Sequence, residues 1–183
     1  MLSLSSKNVF DLLSMSDAIR VVEKTMVLVS EDKCILPLRN VIDVGSSNKL
    51  GIMPGVLSLG GLYGVKVLSL FPENPSKGLS SHIGVVILFN PETGAPVAAI
   101  NADALTAIRT AAATAVATRS LSRVESSKVT IIGTGEQAEA HIEAISLVRD
   151  ITKINVVGRE ITRAKDFLNK VESHFPNQNF SAF

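Results

Sequence analysis

The chain has 183 residues, 46% of them hydrophobic and 19% charged, with a formal net charge of +1. That balance describes a globular protein of one domain, or one domain and part of a second, and excludes a disordered tail or a basic nucleic-acid-binding face. The single cysteine, Cys34, rules out an internal disulfide and suits a reducing cytoplasm; no Cys/His cluster has metal-ligand spacing, and no apolar run nears the ~20 residues that span a bilayer.

In chain order, Ser16 is expected to cap a helix with Asp17 near its positive end; the apolar positions Ile19, Val22, Met26 and Val29 form its stripe, and it ends near Glu31. Two extended segments, Leu36–Val44 and Lys49–Leu57, flank the turn Gly45-Ser46-Ser47-Asn48. Further strands are expected over Tyr63–Phe71, Gly84–Phe89 and Pro96–Ile100, separated by a Pro/Ser-rich loop from Pro72 to Ser81 and by the turn Asn90-Pro91-Glu92-Thr93-Gly94. The first hundred residues therefore read as a mainly antiparallel sheet with one covering helix. Asp103–Leu121, rich in Ala and Thr, is a helix suited to close packing against backbone or a ligand.

After the polar connector Ser122–Ser127 the pattern changes to strand Lys128–Ile132, helix Gln137–Val148, strand Lys153–Val157 and a helix over Ile161–Glu172, with Asn179–Phe183 starting a third strand. This βαβα succession opens a parallel, doubly wound sheet. Between the first strand and helix stands Gly133-Thr134-Gly135-Glu136-Gln137-Ala138, which matches the G-x-G-x-x-G/A dinucleotide fingerprint in its required setting. Gly133 allows the tight turn, Gly135 lets backbone approach a pyrophosphate, Ala138 keeps helix and strand close, and the helix N-terminus offers N–H groups to the anion. The second strand runs into Gly158-Arg159-Glu160; the glycine and Arg159 suit a 2′-phosphate and favour NADP(H), while Glu160 is an acid that would favour NAD(H).

Three cations precede the nucleotide segment. Lys66, with apolar neighbours on both sides, either meets an anion or guards a sheet edge, and the pattern alone does not choose. Arg109 shares a helix side with Thr106, Thr110 and Ala113, as a carboxylate clamp or as a solvent-facing arginine. Arg39 by itself says little. Ser81-His82 ends the polar loop, where side chains commonly reach a site.

Met53-Pro54-Gly55, Gly64-Val65-Lys66, Phe71-Pro72-Glu73-Asn74-Pro75, Gly78-Leu79-Ser80-Ser81-His82, Phe89-Asn90-Pro91-Glu92-Thr93-Gly94, Leu105-Thr106-Ala107-Ile108-Arg109-Thr110-Ala111-Ala112 and the glycine turn together resemble the ornithine cyclodeaminase and mu-crystallin family, in the family's order and over nearly the whole chain. The resemblance implies an α/β fold in which an N-terminal substrate-binding and dimerisation domain, residues 1–121, precedes a partial Rossmann domain, residues 122–183. It implies that Arg39, Lys66 and Arg109 surround a substrate carboxylate, with Lys66 also catalytic beside an imine, and that Ser81 lies near substrate or cofactor, where many members carry threonine. The cofactor-binding set is then Thr110, Gly133, Thr134, Gly135, Glu136, Gln137, Ala138 and Arg159.

Members of the family act as cyclodeaminases turning ornithine into proline and ammonia, as reductases of cyclic ketimines, or as alanine and opine-type dehydrogenases. The expectation here is an NAD(P)H-dependent reductase of a ketimine such as pyrroline-2-carboxylate, a cytoplasmic homodimer binding a small amino or imino acid, without metal, nucleic acid or membrane. Alternatives are the cyclodeaminase and an inactive ligand-binding or dimerising protein. The family's catalytic aspartate and the remaining nucleotide-sheet strands are expected beyond residue 183, which implies a shortened chain with weak or absent catalysis and poor solubility of its own.

Overall fold

A computed structural model describes residues 1–58 and 61–183. Two compact units divide the chain: Met1–Ser14 with Lys24–Thr106, and Met15–Glu23 with Ala107–Phe183.

The first unit is built on a six-stranded sheet. Its strands are β1 (Leu2–Leu4), β2 (Asn40–Gly45), β3 (Asn48–Val56), β4 (Tyr63–Leu70), β5 (His82–Phe89) and β6 (Pro96–Asn101), in the order β1-β6-β5-β4-β3-β2. All pairs are antiparallel except β1 with β6. Strand β1 and helix α1 (Ser6–Leu12) were not expected from the sequence. Both are too short to show a period; α1 is set by a reciprocal box in which Ser5 Oγ accepts from Asn8 N and Asn8 Oδ1 accepts from Ser5 N.

Helix α2 (Met15–Ser30) begins one residue before the expected cap, so Ser16 lies in its first turn; Met15, Ala18 and Ile19 are buried, while Met26 is exposed. Strand β2 starts at Asn40, not at Leu36. Pro37 has no N–H to continue a ladder, and Ile35 makes only an isolated bridge to Val56. The β2–β3 turn places Ser46 and Ser47 at φ of 50° and 65°, the left-handed pair that a two-residue hairpin of the favoured twist needs.

Register decides which side chains share a face, because alternate residues point to opposite sides. Met53 pairs with Lys66, Lys66 with Val86, and Val86 with Ile100, so these four stand side by side. Asn40 pairs with Ile52, and Arg39 stands one residue before the strand begins.

Helix α3 (Ala102–Leu121) is capped by Asn101, whose Oδ1 accepts from Ala104 N at 3.0 Å. Its alanines 111, 112 and 115 are fully buried, the close packing that small side chains permit. The boundary between the units passes through α3 after Thr106.

The second unit continues with β7 (Lys128–Ile132), α4 (Glu136–Ser146), β8 (Lys153–Val157), α5 (Ile161–Val171) and β9 (Asn179–Ala182). The strands are parallel in the order β7-β8-β9, a β–α–β–α–β segment equivalent to one half of a doubly wound dinucleotide fold. Ile142, Ile145, Ile151, Ile154, Val156, Ala164 and Leu168 form its core, with Val129, Ile131, Phe167 and Phe180 packed around them. Beyond α4, Arg149 turns its guanidinium onto the end of α3, donating to the carbonyls of Thr118, Arg119 and Ser122 at 3.1, 2.8 and 3.0 Å, of which Thr118 O also accepts from Ser122 N.

Candidate active site

The glycine turn joins β7 to α4. Gly133 sits at φ 114°, a conformation that strains any residue with a Cβ, and its N–H extends the ladder to Val157 O at 2.8 Å. Gly135 differs. It caps α4 at φ −84° and ψ −175°, open to any residue, and a Cβ built on it would meet no atom within 4 Å. Neither its conformation nor its packing within the chain requires a glycine there, and the bare backbone faces open space. No side chain caps α4, and of its first-turn N–H groups that of Ala138 donates to Gly135 O at 3.0 Å, which leaves those of Glu136 and Gln137 for an anion. Ala138, at the motif's last position, is 6% exposed. A cleft of ≈ 530 Å³ runs past Thr134, Gly135 and Glu136 to Arg163 and Phe167 of α5.

Buried oxygens without a hydrogen-bond partner include Gln137 Oε1 in the first turn of α4 and Thr110 Oγ1 on α3. A hydroxyl rotates and an amide can present either end, so both groups can donate to a phosphate. Bare Gly135, the uncapped helix and these orphaned atoms fit the phosphates of a dinucleotide. At the end of β8 the fit is narrower than the sequence suggested. A Cβ on Gly158 would lie 2.8 Å from Glu160 O, so that glycine serves the turn itself and says nothing about room for a 2′-phosphate. Arg159 is exposed, and Glu160 faces Arg163 at 3.7 Å.

On the same helix, burial and then the neighbouring charge of Glu139 hold the Glu143 carboxyl above the usual carboxylate range. Glu139 itself pairs with His174 Nδ1 at 2.7 Å.

In the first unit, Lys66 lies on β4, between β3 and β5; an edge-guarding role is thereby removed. Its Nζ donates to Thr106 Oγ1 at 2.6 Å, and that hydroxyl donates to Ala102 O at 2.6 Å. Thr106 is thus a partner of the lysine that sequence spacing, forty residues away, had no means to reveal. Arg39 is exposed just before β2, outside the paired residues of the sheet. Ser81 precedes β5 and contacts His82 Nδ1 at 2.9 Å. Arg109 is an exposed residue of α3 within the second unit. Among the described residues no group of three or more His, Cys, Asp or Glu is placed to hold a metal ion, and no helix is long and apolar enough to cross a membrane.

A model of the ornithine cyclodeaminase/mu-crystallin family matches residues 2–182. The chain is 34% identical, over 96% of its length and 54% of the relative's, to a Delta(1)-pyrroline-2-carboxylate reductase of Bacillus cereus. Among solved structures it resembles the Thermococcus litoralis Delta(1)-pyrroline-2-carboxylate reductase in complex with NADH and L-proline, with 36% identity and a TM-score of 0.92 over 98% of this chain and 56% of that one. It also resembles an archaeal alanine dehydrogenase dimer with bound NAD, with 31% identity and a TM-score of 0.89 over 99% of this chain and 56% of that one. The chain spans about half the length of the curated relatives it matches. By the family model that matches nearly all of its residues, this chain belongs to the ornithine cyclodeaminase/mu-crystallin family.

Proposed function

We infer that these residues belong to an NAD(P)H-dependent reductase of a cyclic imino acid such as pyrroline-2-carboxylate. The likeness to a reductase holding NADH and L-proline carries the reading, and it favours reduction over ornithine cyclodeamination. Reducing a C=N bond requires a hydride at carbon and a proton at nitrogen; the nicotinamide cofactor supplies the hydride when bound. Lys66, oriented by Thr106, holds the proton for nitrogen. Arg39 and Arg109 take the carboxylate, whose two oxygens match a guanidinium fork, and Ser81 lies beside substrate or cofactor. Residues Gly133 to Ala138 with Thr110 hold the dinucleotide, and the preference for NADP(H) rests on Arg159. In this reading residues 1–121 serve substrate and dimerisation and residues 122–183 serve the nucleotide.

The whole protein is a cytoplasmic homodimer. Exposed apolar residues along and before edge strand β2, among them Leu38, Val41, Ile42 and Val44, support a second copy as their cover, and a free Cys34 suits a reducing compartment. The test follows NADPH absorbance with pyrroline-2-carboxylate, beside nucleotide binding. Turnover by the whole protein that Lys66→Met removes while NADPH affinity is retained is the expected result. NADPH binding with the imino acid neither reduced nor bound would refute the substrate assignment.

A further inference from the structure

We propose that His141 is a positioning residue: it braces α4 against α3 so that Thr110 and Gln137 together grip the nucleotide phosphates. The proposal rests on the nucleotide reading of the glycine turn and adds a residue whose role the fingerprint does not specify.

His141 lies one turn into α4 and is half-buried. Its Nδ1 is 2.7 Å from Gln137 O; a carbonyl only accepts, so this nitrogen carries the proton. Its Nε2 is 3.1 Å from Thr114 Oγ1 on α3, and that hydroxyl is 3.3 Å from Thr110 O. With its proton on Nδ1 the neutral ring accepts the one hydroxyl proton of Thr114 at Nε2, so the imidazole joins α4 at Gln137 to α3 at Thr114, and the hydroxyl's contact to Thr110 O is the alternative use of that same proton.

A second contact joins the two segments. Arg149, past the end of α4, bonds carbonyls from Thr118 to Ser122 at the end of α3. The His141–Thr114 and Arg149–Thr118 contacts occur in the same order along the two segments. One helical turn before His141 stands Gln137, and one turn before Thr114 stands Thr110. These two residues carry orphaned buried oxygens. Buried polar groups without partners are costly, and a brace that fixes two of them beside an uncapped helix N-terminus makes a preorganised anion grip.

The experiment titrates NADPH into the full chain and into His141→Ala, Thr110→Val and the double variant, with melting temperatures recorded alongside. Each single variant is expected to bind about ten-fold more weakly, the scale of one hydrogen bond to a charged group, and the double variant no more weakly than either single. That non-additivity is the mark of a residue acting through Thr110; a merely structural histidine lowers the melting temperature and leaves the coupling at zero. Should His141→Ala fail to fold, Thr114→Val breaks the brace from the other side and is expected to show the same loss and the same coupling. Additive losses, or unchanged affinity in either brace variant, overturn the brace alone. A wild-type chain that binds no nucleotide overturns the nucleotide reading and the brace with it.

Discussion

Gly135→Ala separates a glycine kept for a ligand from one kept for the fold. Residue 135 adopts φ −84° and a Cβ there meets nothing within 4 Å, so alanine introduces neither strain nor overlap. It also restricts the unfolded chain, which stabilises a protein by ~0.4–1 kcal/mol where the native conformation is compatible. For a chain of this size that is a rise in melting temperature of roughly 1–4 °C. The same methyl group stands where a phosphate would approach the N–H groups of α4. Losing one charge-assisted hydrogen bond of ~1.5–3 kcal/mol weakens binding by roughly 10- to 150-fold. Stability and affinity should therefore move in opposite directions, measured by thermal melting and NADPH titration on one preparation. Gly133→Ala is the control: at φ 114° it costs on the order of 1–3 kcal/mol of stability. A Gly135→Ala chain that binds NADPH as tightly as wild type would refute the argument that this glycine leaves room for phosphate.

Arg159→Ala should reduce NADPH affinity and leave NADH affinity unchanged in parallel titrations; equal losses for both would remove the NADP(H) preference. Glu143→Gln should raise the melting temperature at pH 7 and have no effect below about pH 4. Its carboxyl is held above the usual range, so the protonated form favours the fold and that contribution is lost as pH rises through the folded value. The like charge of Glu139 one turn away suggests a gain of ~0.2–0.5 kcal/mol. Arg149→Ala should cost roughly 2–4 kcal/mol in chemical denaturation, since several carbonyls lose one charged donor. Arg149→Lys should recover less than half of that, because an ammonium cannot span the same acceptors.

The second unit was more legible in the sequence than the first. Strands β7 and β8 fall on the expected residues because their apolar runs end at a glycine turn and at Gly158, and the helices between them have room for a period to show. In the first unit, β1 and α1 carry only three and seven residues, too few for a pattern, and the loss of pairing at Leu36–Arg39 follows from Pro37. The fingerprint was readable as a string with a reason for each of its glycines, but the reason for Gly158 was not. Only packing distinguishes Gly135, which nothing in the chain constrains, from Gly158, which its own turn demands. Contacts such as Lys66 with Thr106 and His141 with Thr114 join residues forty and twenty-seven apart, and no local signal encodes them.

The two units also differ in how they bury apolar surface, and this bears on assembly. Among the described residues, the buried hydrophobic ones of the first unit are Val9, Ala98, Ala102 and Ala104, and three of these are alanines. Every residue of β4, a strand with neighbours on both sides, is only half-buried, and every residue of β2 is exposed. A sheet is stable when each apolar face lies against another layer. The sheet of this unit, with Leu38 97% exposed beside its edge, calls for a cover that one copy of the chain does not supply. If a second copy provides it, melting temperature rises with protein concentration, as for any fold stabilised by self-association. Leu38→Lys with Ile42→Lys should then abolish that dependence and shift light scattering to the mass of a monomer. A wild-type melt independent of concentration over two decades, with a monomer's mass throughout, would leave the face uncovered in solution and remove the homodimer.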